Sequence, residues 1–135
     1  MSYQSMEEVY ERCEKDGISF WKAIQLGDAA ERGVTEEDSW ERMKGMWQAM
    51  QDSLDAYDPE LMSRSRLVGK EGGQMDHYLE QNAPLCGTYM AKVMANALKM
   101  GCNNACMKRI VAAPTAGACG VLPAVLVTYY REYDV

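Results

Sequence analysis

One stripe of apolar residues limits the fold more than any other feature of the sequence. Between Thr35 and Tyr57 the large apolar side chains include Trp40, Met43, Trp47, Met50, Leu54 and Tyr57, spaced 3-4-3-4-3. An α-helix gathers that spacing onto one face, and a strand does not. Glu36, Glu37 and Asp38 fall in the first turn, where the helix dipole favours negative charge, and Asp58-Pro59 stops the run. Nearly three heptads of this kind fit a core helix of a bundle or a helix docked on a partner subunit.

The rest of the chain follows the same period. Ser5 with Glu8 forms a capping box ahead of Met6, Val9, Tyr10 and Cys13, and Gly17 ends that helix. A shorter stretch from Ser19 to Leu26 carries Phe20, Trp21 and Ile24, with breaks expected at Gly27 and Gly33. Met75, Tyr78 and Leu79 mark a short helix. Met90, Val93, Met94, Ala97 and Leu98 mark another, with Gly101 as its expected C-cap. Ala105–Val111 reads as a shorter helix or a buried extended segment, and a last helix runs from about Gly120 to Tyr133. No segment alternates with period two. The expected architecture is an all-α helical bundle.

Composition removes whole classes of function. At 135 residues, 47% apolar and 25% charged, the chain can bury about two-thirds of its unfolded surface as a single domain or a piece of one. The longest apolar run, Val121–Val127, contains Pro123 and is far short of the roughly 20 residues needed to cross a bilayer. The acidic N-terminus has no apolar signal-peptide core, so a cytoplasmic protein with no membrane role is expected. Residues 1–60 hold 15 acidic and 6 basic side chains, whereas residues 61–135 hold 5 and 8. Nucleic acid is an unsuitable partner for such a surface, and the mildly basic half suits a small anionic substrate. The five cysteines are an odd number without secretory context, which argues against disulfides. Cys102 and Cys106 form a CxxxC with His77 as the only histidine, too few ligands for a closed zinc site.

Two segments are richer in glycine than a plain bundle requires: Ser63–Gly73 (SRSRLVGKEGG) and Ala113–Pro123 (APTAGACGVLP). In the second, Pro123 must lie in the first turn of its helix, since deeper in it would cost about 3 kcal/mol. The amides from Gly117 to Leu122 then lack intrahelical acceptors. Gly117 and Gly120 would leave that backbone open to a carboxylate or phosphate, with the Thr115 hydroxyl as an added donor. An ordinary tight turn feeding a buried helix has the same spacing. Walker A, GxSxG, HExxH and the dinucleotide fingerprint are missing, and no lysine sits in a pyridoxal-phosphate context. His77, between Asp76 and Tyr78, fits a solvated helix surface, although a base near neutral pH is its usual functional role.

RIVAAPTAGACGVLPAVL (Arg109–Leu126) resembles the signature of the iron–sulfur-dependent L-serine dehydratase alpha chain. The Ser63–Gly73 loop is similar to that family's SRSGLVGG-type segment, and ALKMGCNNACMKRIV to the helix leading into the PTAG turn. The likeness is close from Met62 to Leu126 and looser over the acidic helices. It implies a pyridoxal-independent lyase that converts L-serine to pyruvate and ammonia by loss of water. A [4Fe–4S] cluster with one open iron acts there as Lewis acid on the β-hydroxyl. Ser63, Ser65, Thr115, Ala116, Gly117 and Gly120 would bind the substrate, and the catalytic base is not identified.

The resemblance also implies a difference. The family's cluster cysteines lie C-terminal to the region matched, Cys119 is not a ligand, and cluster chemistry needs three or four thiolates. The chain is therefore expected to be the N-terminal part of the alpha-chain catalytic domain, a single helical domain fragment over 1–135. Its acidic helices occupy 1–60 and its substrate-binding elements 61–135. It is expected to bind no cluster, to be inactive alone, to work with a beta domain or beta subunit and to form a homo-oligomer. A cysteine desulfidase-like activity or a non-catalytic helical interaction module are the alternatives.

Overall fold

The computed structural model describes residues 3–134. Among these residues the regular elements are six α-helices and one short 3-10 helix, with no strand. The all-α expectation holds. The chain forms two compact units, one up to Met46 and one from Trp47.

The first unit contains α1 (Met6–Asp16), α2 (Phe20–Arg32) and the start of α3 (Glu36–Asp55). The Ser5 hydroxyl accepts from the Glu8 amide at 3.2 Å, and the Glu8 carboxylate accepts from the Gln4 amide at 2.8 Å. Gly17 closes α1 in the left-handed conformation it adopts without steric cost. Of the expected apolar face only Val9 is buried, with Met6 and Tyr10 open to solvent. Gly27 does not break α2. It lies inside the helix against the Tyr3 ring, which a Cβ would meet at 2.7 Å, while the Tyr3 hydroxyl donates to the Ala23 carbonyl at 3.1 Å. Thr35 caps α3 through a reciprocal pair with Asp38, the Thr35 hydroxyl first among the groups that hold that carboxyl below its ordinary range. Trp21 and Trp40, with ring centroids 6.0 Å apart, line an open apolar groove of about 510 Å³ with Phe20, Ile24 and Met43.

The second unit holds the rest of α3, then α4 (Glu71–Gln81), α5 (Thr88–Ala105) and α6 (Val121–Tyr133). Here the α3 stripe changes role: Met50 and Leu54 join Met100 and Val127 in the core, and Trp47 packs on it, edge-on to Tyr130 at 5.5 Å. Trp40 and Met43, in the first unit, are exposed. The stripe is thus core in one half only. Helix α4 crosses α5 at Gly72, where a Cβ would meet Lys99 Cγ at 2.5 Å and its backbone at 3.1 Å, and Gly72 and Gly73 belong to the helix, not to the preceding loop. Gly101 is not a C-cap. Helix α5 runs on to Ala105 and closes with Met107 at φ 61, the Lys108 amide on the Asn103 carbonyl (2.9 Å) and the Met107 amide on that of Asn104 (3.1 Å). Residues 108–115 continue as irregular chain, with Ile110, Val111 and Ala113 against the core.

Candidate functional site

The Ser63 loop closes on itself. Ser63 is buried, its amide donates to the Val68 carbonyl at 2.7 Å and its hydroxyl accepts from the Val68 amide at 3.2 Å. The Arg66 amide donates to the Ser63 carbonyl at 2.8 Å, and Arg66 itself sits at φ 60. That is the left-handed region, where the family's similar segment carries glycine. The two hydroxyls expected to bind substrate lie 3.1 Å apart, that of Ser63 inward and that of Ser65 on the exposed tip.

The loop is fixed at its far end by Gly69. Its amide donates to the Glu71 carboxylate at 2.8 Å, and its carbonyl accepts from the Tyr57 hydroxyl at 2.9 Å. A Cβ there would stand 2.2 Å from the Leu61 carbonyl oxygen. The Tyr57 oxygen also accepts from the Gly73 amide, an orphan donor of the first turn of α4, at 2.9 Å. Glu71 further accepts from the Cys102 thiol at 3.3 Å. The Gly69 amide, followed by the Glu71 amide and the thiol, holds the Glu71 carboxyl below its ordinary range. Burial, seconded by that carboxylate, pushes the Cys102 thiol up, and burial raises Tyr57 against the opposing Gly73 bond.

The PTAG turn is arranged differently. Ala116–Ala118 form the 3-10 helix, in which the Ala118 amide reaches the Thr115 carbonyl (3.1 Å) and the Cys119 amide that of Ala116 (3.3 Å). Two of the amides expected to be free are therefore occupied. Thr115, Ala116 and Gly117 are exposed, and a Cβ on Gly117 would meet nothing nearer than Thr115 Oγ1 at 3.9 Å. Gly117 does not have positive φ. Gly120 does not leave an open approach: a Cβ would stand 3.1 Å from the Ala97 carbonyl oxygen, so this glycine lets α6 start against α5. Pro123 is buried in the first turn of α6, as its chemistry requires, and no side chain caps that helix. Cys119 is buried, which raises its thiol.

Both segments are tied to the last turn of α5. The Asn104 side-chain amide donates to the Ala116 carbonyl at 3.2 Å, Cys102 holds Glu71, and the Cys106 thiol lies 3.9 Å from the Leu61 carbonyl oxygen. No hydrogen bond joins the two segments directly among the described residues.

An open cleft of about 690 Å³ adjoins the braced end of the Ser63 loop, lined among others by Tyr57, Gly73, His77, Lys99 and Arg131, and includes none of the six expected site residues. Its cations are paired, Arg131 with Asp55 at 2.8 and 2.9 Å and Lys99 with Asp76 at 2.7 Å. His77 is exposed beside Gln81, at 3.2 Å. Among the described residues no three of Cys, His, Asp or Glu converge as metal ligands, and no helix is long and apolar enough to cross a membrane. The buried, hydrogen-bonded Cys102 is a poor thiolate ligand.

The serine-bearing loop and the PTAG turn are thus both hydrogen-bonded to the end of one helix. Comparison with known proteins fixes the family. The model of the serine dehydratase alpha chain family matches residues 4–135, and the chain belongs to that family. It is 26% identical over 128 residues to the L-serine dehydratase alpha chain of Peptoniphilus asaccharolyticus, covering 94% of this chain and 44% of that protein. It is 25% identical over 136 residues to the L-serine dehydratase of Haemophilus influenzae, covering 97% and 29%. The chain thus spans less than half the length of these relatives. No solved structure matches it.

Proposed function

We propose that this chain supplies substrate-binding elements of an L-serine dehydratase, the lyase that converts L-serine to pyruvate and ammonia. The observation that carries the reading is the anchoring of both family-matched segments on one turn of α5, with the Ser65 tip and Thr115–Gly117 exposed. Hydroxyl and amide donors of this kind hold a carboxylate while the β-hydroxyl leaves. The described residues offer no ligand set for a [4Fe–4S] cluster, so the role proposed for them is binding and orienting the amino acid. The cluster ligands come from residues beyond this set, with a beta domain or beta subunit as partner. The exposed Val121, Leu122, Val125, Leu126 and Tyr129 on α6 support self-association, which light scattering of the isolated chain should register as a dimer or larger species.

The test is kinetic. In a serine dehydratase containing this chain, Ser65→Ala and Thr115→Val should each raise KM for L-serine by about 10–150-fold, one hydrogen bond to a charged group. The two effects should be non-additive if both side chains face one substrate. Unchanged KM in both variants would remove the site.

A further inference from the structure

We infer that Glu71 is a positioning residue, which with Tyr57 and Cys102 clamps Gly69 so that the Ser63–Ser65 hydroxyls are held ready for substrate. The inference rests on the substrate role proposed above for that loop, but the clamp has its own observable.

Gly69 is gripped at both of its backbone groups, on the two peptide units that flank its Cα: its amide by the Glu71 carboxylate, its carbonyl by the Tyr57 hydroxyl. It carries no side chain of its own for packing, and the space a Cβ would need is filled by Leu61 and Met62 backbone. The next residue back, Val68, exchanges both backbone groups with Ser63. The hydrogen-bond path from Glu71 to the Ser63 and Ser65 hydroxyls therefore passes through two consecutive backbone units with no exposed side chain between. Each clamp member is itself fixed. Glu71 stands in the first turn of α4 and takes the Cys102 thiol from α5, and Tyr57 is fastened by the Gly73 amide. Glu71 of α4 and Tyr57, just beyond α3, thus converge on one glycine, with Cys102 of α5 behind Glu71. A plain loop between α3 and α4 would not need two side chains aimed at the backbone of one glycine and a third bracing one of them, since surface loops ordinarily satisfy their backbone with water. The arrangement matches the demand that groups touching a substrate be locked by a supporting layer.

Amide hydrogen exchange on the chain reads the clamp without any substrate. Glu71→Ala should speed exchange of the Val68 and Gly69 amides by about tenfold or more while core amides of α5, such as Ala95 and Met100, stay protected. Glu71→Gln keeps an oxygen acceptor and should restore most of the protection. Should Glu71→Ala fail to fold, Tyr57→Phe, which removes one hydroxyl, should give the same local pattern. Unchanged loop exchange in a folded variant would overturn the clamp. In the dehydratase holoenzyme, Glu71→Ala should raise KM for L-serine about tenfold or more and leave kcat within a few-fold, with Glu71→Gln close to wild type. Ser65→Ala separates the two ideas. If Ser65→Ala raises KM and Glu71→Ala does not, the positioning role is overturned and the substrate site stands. If neither moves KM, the loop is not the carboxylate site and both fall.

Discussion

The two glycine-rich segments have similar lengths but are held in contrasting ways. In the Ser63 loop, glycine stands where backbone meets backbone, and both backbone groups of Gly69 are hydrogen-bonded within the protein. In the PTAG turn, Gly117 faces open space and the Thr115–Gly117 rim is solvent-exposed. The first segment uses glycine to fit its own chain together. The second leaves room at Gly117, which suits contact with something other than the chain itself, and uses Gly120 for packing.

The same substitution placed in both segments tests this contrast most severely. Gly69→Ala should cost on the order of 3 kcal/mol, because the added carbon meets immobile backbone. Gly117→Ala should stay within about 0.5 kcal/mol. Equal losses in urea unfolding would erase the distinction. Next in size, Ser63→Ala strips the half-buried Val68 amide of its acceptor and should cost about 1 kcal/mol, whereas Thr115→Ala removes no cap and should be close to neutral in the same assay.

Smaller effects of opposite sign are expected where each segment begins or turns through a left-handed residue other than glycine. Arg66→Gly at the loop tip and Met107→Gly before the PTAG run should each raise the unfolding free energy by roughly 0.5–1 kcal/mol, the relief of the Cβ clash less the added chain entropy. A fall in stability for either variant would contradict the assigned strain. The mildest contrast is with pH. The Glu71 carboxyl is held below its ordinary value by the Gly69 amide, so its contribution is complete above the unfolded-state value. It is lost as pH falls through the depressed native value. Urea midpoints across the acid range should fall less steeply for Glu71→Gln than for wild type, and parallel curves would count against the bond.

Most of the helices could be read from the sequence because their signals are local: the Ser5–Glu8 cap, the Thr35 start, Pro123 in a first turn and the 3-4 spacing of α3. Two of the three misreadings share one cause, a crowding partner supplied from outside the helix. Gly27 looked like a break because its partner, the Tyr3 ring, is supplied from outside its helix. Gly101 looked like a C-cap because the left-handed position falls six residues later on Met107, a residue type that rarely takes it. Gly120 looked open because Ala97, which crowds it, belongs to another helix. Of the site, the residue types of both segments were legible and their bracing was not. Glu71 and Cys102 meet across 31 positions, and the only local hint was an acidic side chain opening a helix just after a glycine.

The last turn of α5 has a consequence for how this sequence can drift. Cys102 and Cys106 are four residues apart and share a face, while Asn104 between them points roughly 200° away from Cys102. One face therefore serves the Ser63 loop and the other the PTAG turn, so that the turn works as a fixed registry between them. Inserting a single residue after Asn103 would rotate one mount against the other by about 100° and shift it about 1.5 Å along the axis. An insertion of the same size at the exposed tip of the Ser63 loop would leave that registry untouched. Length variation is thus tolerated at the tip and forbidden between Cys102 and Cys106, although none of the three mounting side chains needs to meet the substrate.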